Sequence, residues 1–364
     1  RRGKSTGQAC CKGAVMGGNA ITATSVRLTD KNYYRLAPKV LQGLKNVLPG
    51  RRMDLIPALA EKPDFGDMDI LVQHPGVLDE DIEHVAKAIG AGEALRHDKN
   101  SRVVSFGVPA VESMEYRSGN AFQIDLIAAP AFAYEFALNY FSFGDFGNFM
   151  GCIARAMSTQ LRHDGLYYRC IDGTQKYGEI LLTTNFSQAL EFLGFDPRRF
   201  ERGFANNLEL FEAIANSKFF NRSIFLLENN NARSRVRKAK RENYLSFLKW
   251  CEQRADDVQY AYPDDRRKWL SRIAEHFSNF EPELSLLDAM LENHRVAKVR
   301  LNGEIAGRLT GLSGPELGEL LSRFRGQFES DAERTSFLMA ASDEDIAFRL
   351  MKIKGEMSLS REKS

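Results

Sequence analysis

The fold is decided by the stretch Phe65-Gly66-Asp67-Met68-Asp69-Ile70-Leu71-Val72, an apolar run interrupted by two carboxylates. A second run of the same kind, Phe122-Gln123-Ile124-Asp125-Leu126-Ile127, follows later in the chain. Short apolar runs of this length predict buried strands. Because side chains alternate along a strand, Asp67 and Asp69 share one face, and Asp125 shares its face with Gln123. If the two strands are neighbours in one sheet, three carboxylates meet at one place.

Three carboxylates so close together repel one another, which is costly unless cations neutralise them. Oxygen ligands in this number favour Mg²⁺, or Mn²⁺ in its place, and a pair of such ions about 3.5–4 Å apart serves phosphoryl transfer. The plainer alternative makes Asp67 and Asp69 a turn at the strand edge and Asp125 an isolated surface charge. Aspartate is depleted inside apolar strands, so the sequence favours a metal site with all three as catalytic residues and ligands.

Bulk composition is that of an ordinary globular protein: 364 residues, 43% hydrophobic, 27% charged, with a net charge of +2. No run approaches the roughly 18 apolar residues of a membrane span, and the N-terminus shows no secretory signal pattern. The five cysteines have neither zinc-ligand spacing nor a disulfide pattern, which fits a reducing compartment. We therefore expect a cytoplasmic protein with no membrane partner, and residues 1–15 to be a disordered or non-native tail.

The order of predicted elements indicates a mixed α/β (α+β) fold. The first part combines helices near 31–48 and 79–91 with strands near 53–59, 67–72, 102–107, 113–117 and around Asp125. This pattern predicts a mixed sheet with helices packed on it over residues 16–130. An aromatic-rich segment, 131–203, follows, with a helix over 148–162, a strand pair near 165–171 and 176–183, and a helix over 186–193. The remainder, 204–364, is mostly helical by period and composition.

A basic stretch lies within the helical remainder. On one helix, Arg233, Arg237 and Arg241 would share a face, and Tyr244, Phe247 and Trp250 follow. Basic residues beside aromatics suit a nucleic-acid backbone, whereas the alternative is a solvated basic face with an apolar stripe behind it. The predicted nucleic-acid contacts are Arg233, Arg235, Arg237, Lys238, Lys240 and Arg241.

The run from Gly66 to Asp69, the His74-Pro75 pair after it, and Asp125 in a later strand resemble the DNA polymerase beta-like nucleotidyltransferases. The likeness is greatest to family X DNA polymerases and extends over roughly residues 50–203; the whole chain also resembles phage-type nucleotidyltransferases with a helical tail. The resemblance implies a palm domain over 16–130, a nucleotide-selecting, thumb-like subdomain over 131–203, and a nucleic-acid-binding helical domain over 204–364.

Nucleotide-binding residues are also implied by this resemblance. Tyr140 and Phe141 lie 15 and 16 residues beyond Asp125, where the family carries a Tyr-Phe pair. Asn148 falls at the position that reaches the incoming base, and Asp145 at the position that stacks near it. A Tyr-Phe pair under the sugar would crowd a 2′-hydroxyl, which favours deoxynucleotides.

The sequence also departs from the family pattern. Ile56-Pro57 replaces a Gly-Ser pair that holds triphosphate, Ala60 replaces an arginine, and Gln123 replaces the arginine two residues before the third aspartate. The candidates for holding triphosphate are therefore Lys62, Gly66 and Arg102. The lyase and helix-hairpin-helix domains usual in the family do not precede the palm in this sequence.

These observations predict a metal-dependent enzyme that adds nucleoside monophosphates from dNTPs to a nucleic-acid 3′-hydroxyl, with a DNA primer favoured. Residues 301–305 and 312–318 support an alternative, because they resemble a motif of CCA-adding enzymes and bacterial poly(A) polymerases, which act on RNA 3′ ends. The same Gly-Pro-Glu run is also good helix-start chemistry. A third alternative is a nucleic-acid-binding protein with an inactive core.

Overall fold

The computed structural model of the chain describes residues 20–74, 82–96, 102–108, 120–254, 259–265 and 267–361. Two compact units are present: the first comprises the residues up to Arg169 together with Leu181–Phe277, and the second comprises Cys170–Ile180 and Ser278–Ser364. These bounds differ from the predicted segments. The predicted tail, 1–15, and the predicted strand at 113–117 lie outside the described residues.

The strands of the described residues form one mixed sheet and two small antiparallel sheets. Their bounds are β1 Thr24–Ser25, β2 Leu28–Thr29, β3 Met53–Leu55, β4 Asp64–Phe65, β5 Asp67–Gln73, β6 Glu93–Arg96, β7 Val103–Val108, β8 Asn120–Ala129, β9 Thr159–Arg162, β10 Gly165–Asp172 and β11 Gln175–Thr183. The main sheet has the order β3-β5-β8-β7-β6, with β1 beside β8. β5 and β8 run parallel, whereas β3, β6 and β7 pair antiparallel with their neighbours.

The helices dominate the second half of the chain. Their bounds are α1 Asp30–Val47, α2 Ile82–Ala88, α3 Tyr134–Phe141, α4 Phe146–Ala156, α5 Phe186–Phe192, α6 Pro197–Glu201, α7 Asn207–Ala215, α8 Ala232–Lys238, α9 Glu242–Glu252, α10 Lys268–His276, α11 Phe280–Arg300, α12 Gly303–Thr310, α13 Gly314–Arg325, α14 Asp331–Ala340 and α15 Asp343–Arg361. Short 3₁₀ helices occupy Ala131–Ala133, Arg222–Phe225 and Leu227–Asn229. The predicted mixed α/β (α+β) class is confirmed.

One face of the main sheet is buried beneath α1 and α2. The alternate residues of β5, beginning with Met68 and Ile70, point into this core, and α1 contributes Tyr33, Val40 and Leu44 to it. The helix begins close to the predicted start, and Thr29 is its N-cap and accepts a hydrogen bond from the Asn32 backbone amide. This core fixes which residues of β5 and β8 are left for the opposite face.

The opposite face is only partly covered. Helix α3 packs on its later half, where Leu71, Ile127 and Tyr134 belong to one apolar cluster. The Tyr134 hydroxyl donates a hydrogen bond to the Leu71 carbonyl oxygen at 3.1 Å, which ties α3 to β5. The earlier half of the same face carries the carboxylates, because side chains two residues apart on a strand share a face.

The helical part of the first unit has an aromatic core. Phe149 of α4 stacks on Tyr244 at 5.4 Å between ring centroids and lies 4.5 Å from Phe247. Tyr244 and Phe247, both on α9, are fully buried. The second unit has its own core, formed by residues of α11 to α15 such as Leu320 and Leu350. None of the helices in the described part of the chain combines the length and apolar character needed to cross a membrane.

Candidate metal centre

The three predicted carboxylates meet on the earlier half of this sheet face. Parallel pairing of β5 and β8 places Asp69 directly opposite Asp125 and Asp67 opposite Gln123. One oxygen from each of Asp67, Asp69 and Asp125 lies within 4.8 Å of the other two, and all three side chains are half-buried. The predicted convergence of two strands is therefore confirmed, and this cluster of three carboxylates could hold a metal ion.

Burial and repulsion within the cluster both raise the pKa of Asp69. Burial raises the pKa of its carboxyl well above the ordinary value, the neighbouring charges of Asp67 and Asp125 raise it further, and the Lys62 ammonium acts in the opposite direction. Carboxyl groups crowded together in this way favour a bound cation, because a divalent positive charge offsets their mutual repulsion. The donor set thus fits a hard divalent cation.

Gln123 holds Asp125 in place. Its side-chain amide donates hydrogen bonds to both carboxyl oxygens of Asp125, at 3.0 and 2.9 Å, while its own oxygen accepts from the Ala20 amide at 2.7 Å. Gln123 is buried, so this arrangement is rigid. The sequence places a glutamine two residues before Asp125 but gives no sign of its partners.

Ser105 is a second neighbour that sequence reasoning missed. It lies opposite Asp125 in the antiparallel pairing of β7 with β8 and is buried. Its hydroxyl has no hydrogen-bond partner within the described residues. A buried hydroxyl costs free energy when it is unsatisfied, so this is a polar position beside the carboxylates. A single serine in an apolar strand was the only sequence signal.

Lys62 and Gly66 lie beside the cluster, as two of the predicted triphosphate candidates. The Lys62 ammonium lies 4.6 Å from the centroid of the Phe65 ring, and the Tyr33 ring stacks on the same Phe65 ring at 3.8 Å between centroids. Gly66 is buried between Phe65 and the first aspartate. The cation–π contact positions a positive charge where it acts on Asp69.

The third candidate, Arg102, lies at the start of β7 and is half-buried. Because Ser105 pairs with Asp125, Arg102 is three residues, roughly 10 Å, along the strand from the carboxylates. Burial lowers the pKa of His163, and the positive charges of Arg102 and Arg162 lower it further. The His163 ring in turn stacks on Phe141 at 5.9 Å.

The predicted Tyr-Phe pair divides between two surroundings. Phe141 packs against the apolar cluster on the carboxylate face of the sheet, near Ile127. Tyr140 meets Phe141 edge to face at 5.2 Å and is half-buried. Burial raises the pKa of the Tyr140 hydroxyl, and the nearby charges of Arg237 and Arg241 lower it.

The predicted base-reading residues are paired with each other. Asp145 is only 2% exposed and accepts a hydrogen bond from the side-chain amide of Asn148 at 2.9 Å. It also forms an ion pair with Arg241, whose side chain is one-third exposed. Arg241, predicted to contact nucleic acid, therefore has a partner on α4.

The structure corrects part of the predicted basic surface. Helix α8 ends at Lys238, and Arg241 is the N-cap of α9, so the predicted face does not continue along one helix. Lys238 is 4% exposed, and its ammonium donates to Asn230 Oδ1 at 2.8 Å and to Tyr244 and Cys152 at 3.0 Å. A buried ammonium with three partners cannot contact nucleic acid, so the prediction for Lys238 is wrong.

The aromatics after this stretch do not form a nucleic-acid surface either, because Tyr244 and Phe247 belong to the core. For these two residues the structure agrees with the alternative of an apolar stripe behind a basic face. The exposed members of the predicted set form the remaining basic surface, which consists of Arg233, Arg235, Arg237 and Lys240.

Comparison with known proteins does not extend this description. No protein-family model matches the chain, and no curated protein matches it either.

Proposed function

We propose that the chain is a metal-dependent nucleotidyltransferase with a polymerase beta-like palm, which transfers nucleoside monophosphates from dNTPs to a nucleic-acid 3′-hydroxyl. The observation that carries the proposal is the parallel pairing of β5 and β8, which brings three half-buried aspartates within 4.8 Å on one sheet face. The first two are separated by one residue, and the third comes from a different strand. A chance cluster of surface acids would not require two interior strands to register in this way.

Asp67, Asp69 and Asp125 would hold two Mg²⁺ ions, or Mn²⁺ in their place. When bound, such ions lower the pKa of the attacking hydroxyl and stabilise the charge that develops on the phosphoryl and leaving oxygens. The carboxylates are half-buried rather than solvated, which strengthens their attraction for a cation. The raised pKa of Asp69 supports the same role, because crowded acids release free energy when a cation binds.

Asp125 is the best-placed residue to accept the proton of the 3′-hydroxyl or to orient that hydroxyl. Gln123 donates one hydrogen bond to each of its oxygens, and a carboxylate oxygen can accept more than one hydrogen bond. The neutral amide fixes the direction of the carboxylate without adding a positive charge. Gln123 would therefore be a positioning residue for Asp125.

Lys62 and Arg102 would bind the triphosphate in place of the missing Gly-Ser pair. Lys62 is held near Asp69 by the Phe65 ring, which places a point charge for the leaving pyrophosphate. Phe141 lies on the same sheet face as the carboxylates and would pack under the sugar. The exposed arginines of α8 would bind the phosphate backbone of the primer.

The test is a primer-extension assay with labelled DNA and RNA primers, with and without template, and with dNTPs compared with NTPs. We expect Mg²⁺-dependent extension of DNA by dNTPs, and loss of extension in Asp69→Asn. Asp64→Asn is the matched control, because Asp64 lies at the sheet edge in an exposed ion pair with Arg27.

Extension by Asp69→Asn at the wild-type rate would refute the metal role. A clear preference for NTPs on an RNA primer would instead support the alternative of an RNA 3′-end transferase. Binding of primer without any extension would support the alternative of a nucleic-acid-binding protein with an inactive core.

A further inference from the structure

A cavity of about 270 Å³ opens among the helices of the second unit, with lining residues from α11, α12, α13 and α14. Its floor is apolar: Ala297, Leu301, Phe324 and Leu338 are buried, and Leu321 is half-buried beside them. Ligand-binding cavities usually begin at about 300 Å³. This cavity is slightly smaller than that, so it can enclose one ring system of a ligand whose remaining groups lie at its mouth, and it is too small for a dinucleotide cofactor.

The rim of the cavity is basic. His294, Lys298 and Arg325 line it with exposed side chains, and none of the three has an ion-pair partner in the part of the chain that the structure describes. Arg334 also lines it and is paired with Asp331 at 2.9 Å. Among the described lining residues there is no aspartate or glutamate. The positive charge over the apolar floor is thus largely uncompensated.

The start of α12 adds to this positive field. Asn302, the N-cap, and Gly303, the first helical residue, both line the cavity. Asn302 accepts a hydrogen bond from the Ile305 amide at 3.0 Å, which fixes the helix start. A helix N-terminus carries a partial positive charge and favours anions, so it acts in the same direction as the rim.

These features together describe the ligand. An apolar floor that includes the Phe324 ring accepts the face of a flat ring, and an uncompensated basic rim accepts an anion. A phosphate monoester carries nearly two charges and three acceptor oxygens at neutral pH, whereas a carboxylate carries one charge and two oxygens. Arginine pairs with phosphate through two parallel hydrogen bonds. A ring joined to a phosphate therefore fits this cavity better than a ring joined to a carboxylate.

We infer that the cavity of the second unit binds a nucleoside monophosphate group, with the base on the apolar floor beside Phe324 and the phosphate at Lys298 and Arg325. The group is supplied either as a free nucleotide or as one unit of a single-stranded nucleic acid, and the chemistry recognised is the same. This inference concerns the second unit by itself and does not depend on the carboxyl cluster.

The test uses the full chain in EDTA, so that cation-dependent binding at the carboxyl cluster does not contribute. Equilibrium dialysis with radiolabelled dAMP and AMP measures the free nucleotides, and fluorescence anisotropy of a labelled 12-nucleotide single strand measures the other source. Adenosine and inorganic phosphate, added separately as competitors, report on the two halves of the site. The test variant is Lys298→Gln with Arg325→Gln, which changes two exposed side chains and leaves the apolar core intact.

The matched control is Arg323→Gln, since Arg323 lies on the same helix, pairs with Glu319 at 2.7 Å and does not line the cavity. We expect the double variant to weaken binding of the nucleotide at least about tenfold, the control to leave it unchanged, and both competitors to displace it. Binding of the oligonucleotide alone, weakened in the same way, supports the inference with nucleic acid as the source.

Three results would overturn the inference. The first is that neither dAMP, AMP nor the oligonucleotide binds. The second is that binding is the same in the double variant as in the wild type, or falls equally in Arg323→Gln. The third is displacement by inorganic phosphate but not by adenosine, which would mean an anion site with no part for the base.

Discussion

At the carboxyl cluster of the first unit, three acids face one another, whereas the buried ammonium of Lys238 in the same unit is surrounded by hydrogen-bond acceptors. Burial moves both groups toward their neutral forms: it raises the pKa of Asp69 and lowers the pKa of Lys238. The neighbours differ. The charges of Asp67 and Asp125 add to the penalty at Asp69, while Cys152 opposes it at Lys238.

The difference separates a charge buried for structure from charges buried for a ligand. The surroundings of Lys238 satisfy it completely: its three acceptors are Asn230, Tyr244 and Cys152, and the Tyr244 hydroxyl donates onward to the Phe225 carbonyl at 2.6 Å. The charges of the three aspartates repel one another, and a cation from outside the chain would relieve that repulsion. Lys238 should therefore matter for stability, and the carboxyl cluster for activity.

The largest expected effect is on activity at the carboxyl cluster. Asp67→Asn and Asp125→Asn should each lower the rate of Mg²⁺-dependent primer extension on the order of 10³-fold, the scale for losing a group that stabilises developing charge. Neither change should lower the midpoint of thermal unfolding, because each removes a repelling charge. Lys238→Met provides the contrast, and should keep its transfer rate per folded molecule. Equal losses of activity at both places would break the comparison.

The next effect is on stability at Lys238. Lys238→Met keeps the volume of the side chain but removes the donor that Asn230, Tyr244 and Cys152 share. Each acceptor loses a buried hydrogen bond, so we expect the free energy of unfolding to fall by about 2–3 kcal/mol. Urea denaturation measures this. Lys240→Met is the control, since Lys240 is exposed two residues away, and an equal loss there would contradict the assignment.

The carboxyl cluster could be predicted from sequence because its pattern is local. Alternation along a strand fixes the shared face of Asp67 and Asp69, and a third acid in another apolar run then needs only one strand pairing. Lys238 could not be predicted in the same way. It lies in a stretch of six basic residues, which indicates a solvated face, and only the acceptors of the folded chain, 6 to 86 residues away, explain its burial.

The local sequence pattern also could not predict which residues hold the site in place. Gln123 contacts Asp125 two residues away, but its other partner, Ala20, is 103 residues distant. The ion pair between Arg241 and Asp145 spans 96 residues. Side-chain positions of this kind depend on tertiary packing, which neither periodicity nor composition contains.

Gln123→Leu should give the third effect, because it removes both hydrogen bonds to Asp125 and leaves its charge. We expect kcat for nucleotide transfer to fall roughly 10–100-fold, the usual cost of losing a residue that orients a metal ligand, with little change in KM for dNTP. Gln123→Asn retains the amide on a shorter stem and should recover less than the wild-type rate. A fall in affinity for dNTP with kcat unchanged would place Gln123 in nucleotide binding instead of positioning.

The smallest effect concerns the stability of the metal-free protein, and its sign distinguishes the two kinds of burial. Because the pKa of Asp69 is raised in the folded state, folding is favoured below the ordinary aspartate pKa of about 4 and loses that contribution as pH rises through the raised value. In EDTA, Asp69→Asn should therefore stabilise the protein at neutral pH by about 1–2 kcal/mol, and Mg²⁺ should remove this advantage by stabilising only the wild type.

Asp64→Asn should have the opposite effect on stability. The hydrogen bond from Arg27 lowers the pKa of Asp64, so the ionised carboxyl stabilises the folded protein at neutral pH, and this contribution is lost as pH falls through the lowered pKa. Thermal unfolding of the wild type and both variants, followed from pH 2 to pH 8 with and without Mg²⁺, separates these cases. If Asp69→Asn proved less stable than the wild type in EDTA at neutral pH, the aspartates would be a structural network like that of Lys238, and the case for a cation site would fail with the comparison.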